Sequence, residues 1–232
     1  MYSFTGRVRY SETDSSGALS LTGLINYFQD CATLHSEDVG LGVEELMRLR
    51  TVWVLSAWQA VLWRMPRLGE EVRVVTNPYR IKGFSGHRDF VLETPAGERL
   101  AAANSVWSII DPETGRLARI SDELAARYGA GTPLDVDWGE RHIRLQGTGE
   151  RLPPLTVPLH ALDTNGHMNN SRYVTLASDC AGIRSCSRLR VEYKRPARLG
   201  AVITPVLFRA EESVTVSLED EEGTPYAIVE FR

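Results

Sequence analysis

The chain alternates one long helical pattern with a set of strand patterns, and then repeats that order. Beginning at Thr22, the run TGLINYFQDCATLHSEDVG places Leu24, Tyr27, Phe28, Cys31 and Leu34 at i, i+3, i+4 spacing. Ser20 or Thr22 is available as a cap, and Gly40 stands past the end. Strand-like runs follow at TVWVLSAWQAVLW (51–63), EVRVVTNPY (71–79), HRDFVLET (87–94) and LAAANSVWSII (100–110), separated by Pro66, Gly69, Gly83, Gly86 and Gly97. SDELAARY (121–128) predicts a short helix, and the glycines, polar groups and charges from Gly129 to Glu150 read as a connector. In the second half a strand is expected near 154–160, then a helix over NSRYVTLASDCAGI, then strands near 187–195, 202–209, 213–220 and 225–231.

The repetition extends to residues. DSSGALS (Asp14–Ser20) lies over DTNGHMN (Asp163–Asn169), sharing the aspartate and the glycine, and RLGEEV from Arg67 lies over RLGAVI from Arg198. Each half therefore reads as a long helix followed by an antiparallel sheet that wraps it, an α+β organisation. The arrangement resembles the hotdog fold in two tandem copies, the first over 1–128 and the second over 151–232, joined by a linker over 129–150. Pairing the copies extends the sheet and covers an edge and a face that one copy leaves open.

The copies differ where chemistry would need them to. Asn165 and His167 stand in the second copy where Ser16 and Ala18 stand in the first, so neither is a requirement of the fold. Alternate residues of an extended segment project to one side, which would bring Asp163, Asn165 and His167 to one small volume. The start of the next helix, near Asn169 and Asn170, would aim free N–H groups and a positive dipole end at it. That combination suits a developing oxyanion and a water losing its proton, as in hydrolysis of an activated carbonyl. One histidine and one acid are too few ligands for a closed zinc site, so no metal or cofactor is expected. A plainer reading also exists: aspartate and asparagine form Asx turns and helix caps without any reaction.

Composition narrows the classes. With 43% hydrophobic and 24% charged residues in 232, the chain is an ordinary globular protein, and a net charge of −4 argues against general affinity for nucleic acid. No apolar run approaches the roughly 20 residues that span a membrane, and the start MYSFTGRVRYSETD lacks a signal-peptide core. A cytoplasmic location is expected. Cys31, Cys180 and Cys186 lack CxxC spacing and read as small buried hydrophobes.

DTNGHMNN, GHRDFVLE, NSVWSIIDPETGRLARI and LRVEYKRPARLG together resemble the acyl-acyl-carrier-protein thioesterases of plant plastids and bacteria, over nearly the whole chain. The resemblance implies hydrolysis of a fatty acyl thioester on carrier protein, with Asp163, Asn165 and His167 in the motif's catalytic places and the acyl chain held in the first half. Trp53, Trp58 and Trp107 are then candidates to line its pocket. In the plant enzymes a glutamate and a cysteine follow the EYRR segment and have been assigned catalytic parts. Here Pro196 and Ala197 follow EYKR, which removes a cysteine nucleophile at that position and favours direct attack by water. Glu192 matches a different family position. The cluster of Arg184, Arg188, Arg190, Lys194, Arg195 and Arg198, opposed only by Glu192, is a candidate dock for acidic carrier protein. Paired copies permit a monomer, and a homodimer is the expected assembly. Two rival readings are an acyl-coenzyme A thioesterase and a non-catalytic sensor that binds acyl thioesters.

Overall fold

A computed structural model describes all residues from Met1 to Arg232. The first half comprises strand β1 (Tyr2–Arg7), a 3-10 turn (Tyr10–Glu12), helix α1 (Leu21–Asp38), helix α2 (Val43–Arg48), strands β2 (Val52–Leu62), β3 (Glu71–Lys82), β4 (Ser85–Glu93) and β5 (Arg99–Ile110), and helix α3 (Asp122–Tyr128). The second half has β6 (Glu150–Arg151), β7 (Leu155–Thr156), a 3-10 turn (Leu159–Ala161), α4 (Asn170–Ala181), and strands β8 (Arg188–Tyr193), β9 (Val202–Arg209), β10 (Val214–Glu219) and β11 (Pro225–Phe231). β1 and α2 are additions to the sequence reading. The strand expected over 154–160 shrinks to two residues, because Pro153, Pro154 and Pro158 have no N–H to donate to a ladder.

Ser20 caps α1 by accepting a hydrogen bond from the Gly23 N–H at 3.0 Å. The buried face of α1 carries Leu24, Ile25, Tyr27, Phe28, Cys31, Ala32 and His35. Leu34, expected inside, is exposed, and His35 takes the inner position instead, stacked on the Tyr2 ring and hydrogen-bonded through Nδ1 to Arg88. No helix is long and apolar enough to cross a membrane.

All strand pairs are antiparallel, in the order β1-β3-β4-β5-β2-β8-β11-β10-β9-β6, with β7 also on β9. The halves meet along β2 and β8, where Gln59 lies opposite Arg190, flanked by Ala57 opposite Glu192 and Val61 opposite Arg188. This register is symmetric about the Gln59–Arg190 pair, so the approximate two-fold relating the halves passes there. α1 and α4 lie on one face of the joined sheet and run antiparallel, with Thr22 and Thr175 hydroxyls 2.7 Å apart. Their apolar faces and the strands beneath form one continuous core drawn from both halves, including Phe28, Trp58, Phe90, Tyr173, Val191 and Val229. This is the double hotdog expected from the repeat.

The other face carries a row of polar side chains. Asn77, Asp89, Asn104, Gln59, Arg190 and Glu230 are each opposite the next across six adjacent strands, and all six are buried. Residues 129–145 cover them, running across the strands as a strap. Asn77 donates to the Thr132 carbonyl at 2.8 Å, and Asp89 accepts from the Leu134 N–H at 2.7 Å. Gln59 donates to the Trp138 carbonyl at 2.9 Å, Arg188 to the Asp137 carbonyl at 2.9 Å, and Arg190 to the Glu140 carbonyl. Glu192 accepts from the Ile143 N–H at 2.8 Å. An irregular segment has no ladder to satisfy its backbone, and Asn77, Asp89, Gln59 and Arg190 of the row, with Arg188 and Glu192 beside it, supply partners. The connector is therefore fixed from Thr132 to Ile143.

Asp89 holds both the strap and, at 2.7 Å, the Asn104 amide. Asp89→Ala strands one buried donor and one half-buried donor and is expected to lower stability by about 1–3 kcal/mol, measured by chemical denaturation. Proteolysis confined to 129–145 should accelerate with it.

Candidate functional site

The approach to α4 is a tight turn, where an extended segment was expected. Asp163 N–H donates to the His167 carbonyl at 2.7 Å, and Gly166 N–H donates to the Asp163 carbonyl at 3.1 Å. Gly166 has φ +72, a conformation that costs a side-chain-bearing residue free energy. One carboxylate oxygen of Asp163, Oδ1, accepts from the Asn165 N–H at 2.8 Å and the His167 N–H at 3.2 Å. The first half builds the same turn: Asp14 N–H to the Ala18 carbonyl at 2.9 Å, Asp14 Oδ1 from the Ser16 N–H at 2.8 Å, Gly17 at φ +76. The shared aspartate thus has a structural task in both copies. In each half the turn bridges the second repeated motif, Ala18 to Arg67 and His167 to Arg198, so the two sequence repeats are one contact seen twice.

What differs between the turns is the set of side chains left over. Ser16 Oγ is used internally, donating to Asp14 Oδ1 at 2.6 Å. Asn165 is exposed and His167 half-buried, and neither side chain hydrogen-bonds within the chain; Oδ2 of the aspartate is free in both turns. The turn thus presents a carboxylate oxygen, an amide and an imidazole within five residues.

The start of α4 adjoins it. Asn169 is the N-cap, its Oδ1 accepting from the Ser171 N–H at 2.9 Å, while its own N–H donates to the Ala161 carbonyl at 2.9 Å. Asn169 therefore offers no free backbone donor and acts as a cap in the plain sense. Asn170 N–H has no acceptor in the chain, and first-turn N–H groups point out along the helix axis. The Asn170 carbonyl accepts from Tyr193 OH at 2.9 Å, and its side-chain amide donates to Gln29 Oε1 of α1 at 3.0 Å. Below, the Tyr173 hydroxyl accepts from the Ala197 N–H at 2.9 Å. The equivalent of Ala197 in the first half is Pro66, which has no N–H, and the equivalent of Tyr173 is Leu24. Burial pushes the Tyr173 hydroxyl pKa up to about 12. None of Gln29, Tyr173 and Tyr193 was singled out in the sequence, where they look like residues of an amphipathic helix and a strand.

Other expected residues separate. Trp58 is fully buried between α1 and the first-half strands, near Phe28 (5.9 Å), Phe90 (5.0 Å) and Trp107 (6.5 Å). Its indole N–H lacks a partner. Trp53 sits in a separate small cluster with Leu41, Leu46 and Tyr128, to whose hydroxyl it donates at 3.0 Å. The basic stretch is not one surface. Arg190 is buried and paired with Glu230 at 2.7 Å, Arg188 holds the strap, and Arg195 is tied to Asp220 and the Tyr226 ring. The reason is strand alternation, which turns Arg188, Arg190 and Glu192 toward the strap. Lys194 pairs with Glu192; Arg184 and Arg198 are exposed and make no ion pair. Burial works to raise the Glu192 pKa, but hydrogen bonds from Lys194 and the Ile143 N–H outweigh it and hold the carboxyl below its usual range. Glu192 faces away from α4. Burial also pushes the Cys31 and Cys186 thiols up to about 12, so neither supplies a thiolate at neutral pH.

Comparison with known proteins adds the following. Residues 1–128 match the family model described as the acyl-ACP thioesterase N-terminal domain, and residues 149–228 match that of the C-terminal domain. A chloroplastic acyl-[acyl-carrier-protein] hydrolase of Cuphea viscosissima is 25% identical over 93% of this chain and 55% of its own length. A chloroplastic palmitoyl-acyl carrier protein thioesterase of Gossypium hirsutum is 26% identical over 84% of this chain and 52% of its own. The chain thus spans about half the length of these curated relatives. Among solved structures, an acyl-ACP thioesterase from Bacteroides thetaiotaomicron superimposes with a TM-score of 0.87 at 22% identity, covering 99% of this chain and 96% of that one. The 12:0-ACP thioesterase from Umbellularia californica gives 0.87 at 22%, covering 100% and 96%. At that identity the two structures show a shared fold.

Tyr173→Phe leaves the buried Ala197 N–H without an acceptor and is expected to cost about 1–3 kcal/mol of stability. Adding Ala197→Pro, which copies the first half, removes the stranded donor. Thermal denaturation of the single and double variants should show recovery of much of the loss.

Proposed function

The chain belongs to the acyl-ACP thioesterase family, and on that premise we propose that it hydrolyses the thioester between a fatty acyl chain and acyl carrier protein. Water adds to the thioester carbonyl, the C–S bond breaks, and free fatty acid and carrier thiol leave. The observation that carries the reading is the asymmetry of the paired turns: one backbone, with its aspartate, is built twice, and only the second copy adds an unengaged amide and imidazole.

In this reading Asp163 has two tasks, divided between its oxygens. Oδ1 holds the turn, and Oδ2 accepts a hydrogen bond from the attacking water. Asn165 orients the water or the carbonyl, and His167 delivers a proton to the leaving thiolate. The Asn170 N–H, at the positive end of α4, faces the developing oxyanion. Trp58 and Trp107 border the acyl chain between α1 and the first-half strands. With Glu192 engaged by the strap and Pro196 in the family glutamate's place, no further carboxylate is invoked. Of the basic residues, Arg198 stands beside the turn, bridged to His167 through the backbone, and is the cation placed to meet an acidic carrier. Arg184 lies near the first-half turn, where its charge helps lower the Asp14 pKa, although burial of that carboxyl is the largest influence and opposes the shift.

A variant that preserves the turn separates reaction from folding. Asp163→Asn keeps an Oδ1 acceptor and removes the carboxylate, so kcat on acyl-carrier protein should fall about 10²–10⁴-fold with thermal stability little changed. His167→Ala should fall in the same range. Folded variants with wild-type turnover would remove these residues from the mechanism.

The dock is tested by steady-state kinetics on carrier-protein and coenzyme A thioesters of one acyl chain. Arg198→Glu is expected to raise KM for carrier protein several-fold, with a smaller effect on coenzyme A thioesters; equal effects on both would dismiss the dock. Arg190→Glu should unfold the protein instead, since it sets a second buried carboxylate against Glu230.

A further inference from the structure

The hydrogen bond between Gln29 and Asn170 joins helices of different halves at the first residue of α4. By the alignment that pairs Asp14 with Asp163, the counterparts of Asn170 and Gln29 are Leu21 and Ser178. Leu21 is buried and apolar, and Ser178 donates to the Ile183 carbonyl in its own half. The counterpart of Tyr193, by the alignment of the RLG motifs, is Leu62, also buried and apolar. The polar contacts on Asn170 are therefore absent at the equivalent point of the first half. They occur only where Asn165 and His167 occur.

We propose that Gln29, a residue of the half that lacks the reactive turn, is a positioning residue for hydrolysis in the other half, acting through Asn170. The inference rests on the hydrolase reading above. Asn170 is held on two sides, its carbonyl by Tyr193 OH at 2.9 Å and its side-chain amide by Gln29 Oε1 at 3.0 Å. These contacts fix residue Asn170 at the start of α4 through its carbonyl and its side chain, and its backbone N–H, on the other side of the same Cα, is left unpaired. A donor that must meet an oxyanion loses effect when its position relaxes by a fraction of an ångström. A packing role alone would be met by apolar residues, as the first half shows with Leu21 and Leu62.

Substitution removes the acceptor while keeping side-chain length in Gln29→Met, and removes it with a branched apolar group in Gln29→Leu. Each is expected to lower kcat on acyl-carrier protein by about tenfold to a hundredfold, with KM within about twofold and melting temperature close to wild type. Tyr193→Phe should act in the same direction. In an Asn170→Ala background the Gln29 substitutions should add little further loss, because their effect travels through that residue. Wild-type kcat in both Gln29 variants, a loss confined to KM, or an undiminished loss in the Asn170→Ala background would each overturn the proposal while leaving the hydrolase reading standing. Absence of turnover in the wild type on every acyl-carrier protein and acyl-coenzyme A of a C8–C18 panel would overturn the hydrolase reading, and this proposal with it.

Discussion

The row of buried polar side chains from Asn77 to Glu230 is the constraint on which the architecture depends. A sheet covered by helices on one face still has a second face to shield, and no helix is available for it. The chain shields it with an irregular strap, whose unpaired backbone groups would be costly against apolar strands. Polar residues on β3, β4, β2 and β8 resolve the conflict by bonding the strap backbone. The row is continuous across the β2–β8 seam, because Gln59 and Arg190 lie opposite each other there. One strap thus clamps both halves and carries the chain from one to the other.

That clamp has a consequence on the opposite face. With the seam fixed, α1 and α4 lie side by side, and the start of α4 falls against the middle of α1. The turn before α4 is then held from three directions: by its own aspartate, by the RLG loop through backbone bridging, and by α1 through Asn170. The first half keeps the first two supports; its helix start meets α4 one residue later, through Thr22 and Thr175, and its Leu21 makes no polar contact. Duplication separates what the shared turn requires from what stands in the second half alone. The aspartate and the glycine recur in both halves; Asn165, His167, Asn170 and Tyr193 occur only in the second, where Tyr173 also takes a structural task as acceptor for the Ala197 N–H.

The same logic explains why the charged stretch from Arg184 to Arg198 misleads when read as a linear patch. In a strand, neighbouring residues face opposite ways. Arg188, Arg190 and Glu192 turn to the strap, and Leu189, Val191 and Tyr193 turn to the helices. Arg184 and Arg198 lie outside β8, one on each side, and remain exposed. Their separation divides the basic character between the two turns.

Local pattern by itself determined the two long helices, most strands, the tandem repeat and the asparagine and histidine that only the second copy carries. Each of these follows from spacing within a few residues: apolar side chains at helical intervals in α1, Ser20 and Asn169 as caps, an Asx turn closed by glycine. The strand expected near 154–160 is cut to the two residues of β7 by prolines already visible in the sequence. Tertiary structure alone decided the polar row, the strap, the burial of Arg190 and the contact of Gln29 with Asn170. Those depend on strand register and on which residues of distant segments end up opposite one another, Asn77 with Asp89, Gln59 with Arg190, Gln29 with Asn170. A side chain's own neighbours in the chain do not encode that pairing. It is set when the two halves close on a common core.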